Sequence, residues 1–174
     1  MFGLIAEGDR RLMRLLNRWE APQWVRRWMV LASRAGDGWL WGTIAFILLL
    51  FGGPVRLHAL IDSFVALGTA QLTFFTLKRI IGRERPCSIE PHCWSVLLPP
   101  DRFSFPSGHA ITAFAIATAL GLCYPTLLIG LLFCALSVAA SRVILGLHYL
   151  SDVVAGLAIG ILIGIAAFLW TPPL

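Results

Sequence analysis

The chain has 174 residues, 58% of them hydrophobic and only 13% charged, with a mean hydropathy of +0.81. That leaves too few polar side chains to cover a soluble domain, so the composition excludes one and points to an all-α membrane protein. The formal charge of +5 and pI near 9.6 come without a basic stripe interleaved with aromatics outside the membrane-flanking segments, so no nucleic acid is expected and anionic lipid headgroups or phosphate are the expected partners.

From Asp9, a plausible N-cap, the pattern places Leu12, Leu15, Leu16 and Trp19 on one helical face and Arg10, Arg11, Arg14 and Arg18 on the other. A second amphipathic piece follows Pro22, with Trp24, Val25, Trp28 and Met29 opposite Arg26 and Arg27. Both are expected to lie in the membrane interface. The first residues carry neither an apolar core segment nor a small-residue cleavage site, so no signal peptide is expected. Gly36-Asp37-Gly38 marks a turn.

Five apolar runs follow: Trp39 to Gly53, Leu57 to Leu77, Ala110 to Tyr124, Pro125 to Leu145 and Val153 to Trp170. A span needs roughly 20 residues, so the first and third must borrow flanking residues. In the last run Gly156, Gly160 and Gly164 form a small-residue ridge along which another helix can approach closely. The pattern predicts a bundle of about five transmembrane helices in a single domain over residues 1–174, with 1–36 interfacial and 37–174 transmembrane.

The one long polar loop runs from Lys78 to Phe105. It holds Cys87 and Cys93, which can form a disulfide in an oxidising compartment or stay as free thiols. No metal-ligand spacing occurs among the four cysteines. Sorting the loops by side puts 13 of the 14 Lys and Arg on or near one face, with only Arg56 on the other. The positive-inside rule makes that face cytoplasmic.

Three polar stretches converge on the same face. Lys78-Arg79-Ile80-Ile81-Gly82-Arg83-Glu84-Arg85-Pro86 ends the second span and offers a point charge and a planar fork to an oxyanion. Phe105-Pro106-Ser107-Gly108-His109 opens the third, where Ser107 as cap, Gly108 and the free N–H groups make an anion seat. Ser141 to Asp152 places Arg142, His148 and Asp152 in an otherwise apolar region, and the four-residue spacing lets the Asp152 carboxylate reach a His148 imidazole nitrogen. Several phosphate donors beside two histidines point to phosphoryl transfer.

These segments resemble the signature of the type 2 phosphatidic acid phosphatase (PAP2) family, with K-x6-R-P at Lys78 to Pro86, P-S-G-H at Pro106 to His109 and S-R-x5-H-x3-D at Ser141 to Asp152. The resemblance implies that His148 attacks phosphorus, that Asp152 holds its tautomer, and that His109 protonates the leaving alkoxide and then activates water. Lys78, Arg85, Ser107, Gly108 and Arg142 would bind the phosphoryl oxygens. It further implies no metal and no cofactor, a lipid phosphate substrate, and an undecaprenyl diphosphate-like carrier ahead of phosphatidic acid or phosphatidylglycerol phosphate. Bacterial relatives of this kind have the site facing outward from the inner membrane, against the charge count. A phosphotransferase or a non-catalytic lipid-phosphate binder of the same fold are the alternative classes. Arg79, Arg83 and Arg102 are expected to be solvated or headgroup-facing, Asp62 a polar contact in the bundle, and His58 and His92 loop residues without a role.

Overall fold

The computed structural model describes residues 2–89 and 102–171. His92 and Cys93, and with Cys93 the possible Cys87–Cys93 bridge, lie outside them. Among the described residues the chain is helical, with no strand beyond an isolated antiparallel bridge between Glu84 and Phe103.

The helices are α1 (Phe2–Arg18), α2 (Gln23–Arg34), α3 (Leu40–Phe51), α4 (Arg56–Ile81), the short α5 (Pro86–Ile89), α6 (Gly108–Cys123), α7 (Leu128–Ile144) and α8 (Leu150–Trp170). Among the described residues four stretches are long and apolar enough to cross a membrane: Gln23–Phe51, Arg56–Ile81, Pro125–Ile144 and Leu150–Trp170. α6 is shorter, at 16 residues, and is buried along almost its whole length. A helix that is apolar all round belongs inside a bundle, and α6 is that central helix, packed by α4, α7 and α8. Its shortness is accommodated because neighbouring helices surround it.

The glycine ridge of α8 faces α6. A Cβ built on Gly160 would lie 2.5 Å from the Ile111 carbonyl oxygen, and one on Gly164 2.6 Å from that of Ala115. Only hydrogen fits in those gaps, so the two backbones touch, and α6, which carries His109, is held at fixed spacing from α8, which His148 precedes.

Three expectations about the N-terminal third are corrected. The Gly36-Asp37-Gly38 stretch does not reverse the chain. Helices α2 and α3 instead meet at a kink within Ala35–Trp39, where Gly38 leaves helical geometry with a φ of 123° that suits glycine. Nor is α2 only a surface helix, since Met29, Ala32 and Ser33 are buried and it packs on α7. In α1 the four arginines Arg10, Arg11, Arg14 and Arg18 are exposed, but Asp9 is buried within the helix and is not its N-cap.

At the other end of the bundle Asp62 is fully buried, and its cost is met by hydrogen bonds. It accepts from Cys123 Sγ at 3.2 Å and from Thr171 Oγ1, tying α4 to the ends of α6 and α8. His58 belongs to this cluster, with Nε2 3.5 Å from Asp62 Oδ2, and lies in α4 rather than in a loop.

Candidate active site

Helix ends bring the charged residues together. Arg142 lies in the last turn of α7, which closes at Gly146 (φ 69°), and the backbone then turns so that both Leu147 and His148 donate their N–H to the Arg142 carbonyl at 3.0 Å. Lys78 lies in the last turn of α4, and Gly108 and His109 in the first turn of α6. Lys78, Arg85, Gly108, His109, Arg142 and His148 all line one cavity of about 680 Å³. Away from this polar end the wall becomes apolar, with Leu60, Phe64, Leu67 and Phe74 of α4 facing Trp41 and Ala45 of α3.

His148 is buried, and its two ring nitrogens are differentiated. Nδ1 lies 2.6 Å from the Ser104 carbonyl oxygen, which can only accept, so Nδ1 carries the proton. Nε2 lies 3.0 Å from Arg85 Nη1, which can only donate, so Nε2 offers its lone pair. Burial, then the charges of Arg85 and Arg142, hold the imidazole well below its ordinary range; they outweigh the Ser104 bond, which favours the cation. The ring is therefore a neutral base whose unprotonated nitrogen accepts a hydrogen bond from the Arg85 guanidinium.

The expected His148–Asp152 contact is corrected by this geometry. Asp152 Oδ2 is 3.9 Å from His148 Nδ1 and instead accepts the Tyr149 N–H at 2.9 Å. His148 precedes α8, whose N-cap is Tyr149, so Asp152 is the third helical residue and closes a capping box rather than sitting one turn along from the histidine. Asp152 does not line the cavity; it lies behind the histidine, with Oδ1 2.7 Å from Arg83 Nη1.

Ser107 sits at the N-cap position of α6, but its side chain makes no capping bond. Its hydroxyl is buried without a partner among the described residues, which leaves the donor unspent beside the start of α6. Gly108 is needed because a Cβ there would lie 2.9 Å from the Phe74 ring. Of the cations, Arg142 Nη1 donates to Ser33 Oγ at 2.5 Å, Arg85 Nη1 to the Leu147 carbonyl at 2.8 Å, and Lys78 Nζ lies 4.5 Å from the centre of the Phe74 ring.

Three residues not expected at the site contact its residues. Asp37, from the kink before α3, places Oδ1 2.7 Å from His109 Nε2. Ser104 supplies the carbonyl that fixes His148. Arg83, expected to be solvated, is instead drawn inward to Asp152, Ser151 and Asp9, with its guanidinium 4.0 Å above the Tyr149 ring. The only advance signal for Asp37 was a carboxylate between two glycines at the head of a span.

A family model described as the PAP2 superfamily matches residues 59–174. The lipid A 1-phosphatase of Rhizobium etli is 40% identical over 88 residues, covering 48% of this chain and 38% of that protein. The undecaprenyl-diphosphatase of Sulfolobus acidocaldarius is 29% identical over 136 residues, covering 76% of this chain and 64% of that one. The chain thus spans less than two thirds of the length of either curated relative. Among solved structures, that of Aquifex aeolicus LpxE superposes with a TM-score of 0.76 at 26% identity, covering 92% of this chain and 94% of that one.

Proposed function

The chain belongs to the PAP2 superfamily, and from that premise we propose that it is an integral-membrane phosphatase which removes a terminal phosphate from a lipid phosphate or diphosphate through a phosphohistidine intermediate. The observation that carries this reading is a single cavity holding two histidines and three cations at one end and a long apolar wall at the other.

As substrate enters, Arg85 Nη1 exchanges His148 Nε2 for a phosphoryl oxygen; the freed Nε2 lone pair attacks phosphorus, the N–P bond forms, and the bond from phosphorus to the leaving oxygen breaks. His109 gives that oxygen a proton. Water then attacks the phosphohistidine, His109 takes the water's proton, and the N–P bond breaks to release phosphate. Lys78, Arg85 and Arg142 neutralise the phosphoryl oxygens, while Ser107, Gly108 and the N–H groups opening α6 complete the anion seat. Asp37 holds His109 in the orientation this requires. These donors are cationic or neutral, which suits charge neutralisation by the protein itself, so the reaction is expected to proceed without a metal.

The apolar wall favours a substrate with a long chain. Along α4 the lining residues run from Leu60 to Lys78, eighteen residue steps apart, about 27 Å at about 1.5 Å per step, close to the roughly 30 Å of a hydrocarbon core. A long lipid chain can occupy that wall; we favour an isoprenoid carrier diphosphate such as undecaprenyl diphosphate, whose chain would fill it and continue into the bilayer, ahead of phosphatidic acid and phosphatidylglycerol phosphate. The exposed arginines of α1 supply contacts for anionic headgroups. The site faces outward from a bacterial inner membrane in this reading, which makes a fluorescent protein fused to the C-terminus, at the opposite end of α8, cytoplasmic and bright.

The test is phosphate release by purified protein from a panel of prenyl, glycerol and lipid A phosphates, with EDTA present and no acceptor lipid. Release that His148→Ala abolishes supports the hydrolase. Turnover that requires a second lipid identifies a phosphotransferase, and binding without turnover identifies a carrier.

A further inference from the structure

Asp9 lies in α1, outside the stretch that the family model matches. It is 5% exposed, on a helix whose arginines all face out. A buried carboxylate is costly unless it is well paired, and a helix that merely covered this surface would be better served by an apolar side chain there.

Its pairing leads directly to the residues behind the cavity. Asp9 Oδ1 accepts the Ser151 N–H at 3.1 Å, and Oδ2 accepts Ser151 Oγ at 2.5 Å and Arg83 Nη2 at 2.8 Å. Arg83 Nη1 donates in turn to Asp152 Oδ1 and to Ser151 Oγ, both at 2.7 Å. One planar guanidinium fork therefore bridges two carboxylates, one nitrogen to each, and the Tyr149 ring beneath it restricts its tilt. Asp152 uses its other oxygen to cap the first turn of α8, immediately after His148.

We infer that Asp9 is a positioning residue for phosphoryl transfer: through the Arg83 fork it fixes Asp152, and with it the start of α8 against which His148 is held. Without Asp9 the fork has one anchor instead of two, and Arg83 is free to turn towards solvent or headgroups. The cavity walls and the three phosphate-facing cations stay in place, so binding is spared while the nucleophile loses alignment. The inference rests on the phosphatase reading above and adds to it a residue supplied by the N-terminal helix.

The experiment is a double-mutant cycle on the full-length protein in detergent, with whichever lipid phosphate the panel selects. Asp9→Asn is expected to lower kcat by about tenfold, less than the roughly hundredfold that a misplacement of about 1 Å can cost, while KM moves by less than about twofold. Asp9→Glu is expected to recover part of the loss. In an Arg83→Lys background, where the fork is already gone, Asp9→Asn is expected to cost nothing further. If Asp9→Asn does not fold, Ser151→Ala takes its place in the same cycle, since it removes a partner of both Asp9 and Arg83. Unchanged kcat in an active wild-type background, or losses that multiply with Arg83→Lys, overturns the inference and leaves the phosphatase reading standing. A wild type inactive on every lipid phosphate overturns that reading and, with it, the inference.

Discussion

The Asp37 carboxylate oxygen lies 2.7 Å from His109 Nε2, joining the kink ahead of α3 to the first turn of the central helix. A carboxylate only accepts, so Nε2 carries the hydrogen and Nδ1 is the nitrogen left for proton transfer. The approach depends on Gly36, where a Cβ would lie 3.0 Å from His109 Cδ2.

Asp37→Asn is therefore expected to slow turnover by about a hundredfold, within the range set by loss of general acid–base catalysis. The loss should shrink with a substrate whose leaving group departs without protonation, such as an aryl phosphate. Comparing kcat for alkyl and aryl phosphates checks this. An equal loss on both would mean that Asp37 does not act through His109.

The sequence motifs brought Lys78, Arg85, Gly108, His109, Arg142 and His148 to one cavity, because each sits at a helix end where turn chemistry is legible locally. Asp37, Ser104 and Asp9 were not legible as site residues. Their partners are 72, 44 and 142 residues away in sequence, and no local rule reaches that far. The Asp152 contact went astray for a different reason. A four-residue spacing brings side chains together only when both residues are helical, and His148 stands outside α8. The kink at Gly38 illustrates the same limit: glycines flanking an aspartate signal a break in regularity, and packing of α2 on α7 decided that the break would be a bend.

A phosphorylated intermediate should be trapped by His109→Ala. With an aryl phosphate the first step needs no acid, whereas the second lacks the base that activates water, so the protein should accumulate stoichiometric label from a ³²P substrate. The label should be acid-labile and base-stable, as a phosphoramidate is. It should be absent from His148→Ala, and label persisting there would place the nucleophile elsewhere.

The depressed affinity of His148 for protons has two consequences of definite sign. In the native protein the imidazole stays neutral at and below its ordinary value of about 6.5, so the acid limb of kcat/KM for aryl phosphates is expected below about pH 6.5. In the unfolded chain the same ring takes up a proton near that value, so between the native value and about 6.5 the unfolded state binds more protons. Stability from this group is complete above about pH 6.5 and is lost as the pH falls through that window. Melting temperatures in detergent across the window, compared with His148→Gln, should show a slope in the wild type that the variant lacks.

The contact between α6 and α8 sets a stability prediction. A methyl group at Gly160 would lie 2.5 Å from the Ile111 carbonyl oxygen and 2.9 Å from Phe114 Cβ, atoms that cannot move without separating the helices. Gly160→Ala is expected to cost about 1–3 kcal/mol, as overpacking does. Gly130→Ala in α7 meets nothing within 4 Å and should be neutral or gain up to about 1 kcal/mol from helix propensity. Denaturation of both variants under one detergent condition decides it, and equal melting would mean that the glycine ridge is not what holds the two helices together.

The apolar wall can be probed apart from the chemistry. Ala45 of α3 lines the cavity opposite the α4 residues and lies well away from the histidines in sequence. Ala45→Phe adds a ring to the part of the wall that a long chain would occupy, while the polar end keeps every donor. For a prenyl diphosphate KM should rise by about tenfold or more, the scale of about 1–3 kcal/mol for a filled apolar pocket. For a water-soluble short-chain phosphate, which needs only the polar end, kcat/KM should stay within about twofold. If both substrates suffer alike, the chain does not run between α3 and α4, and the apolar wall no longer argues for a long-chain substrate. If only the long one suffers, trimming or extending the chain against the variant maps how far the groove is used, since each buried methylene contributes about 0.8 kcal/mol until the blocking ring is reached.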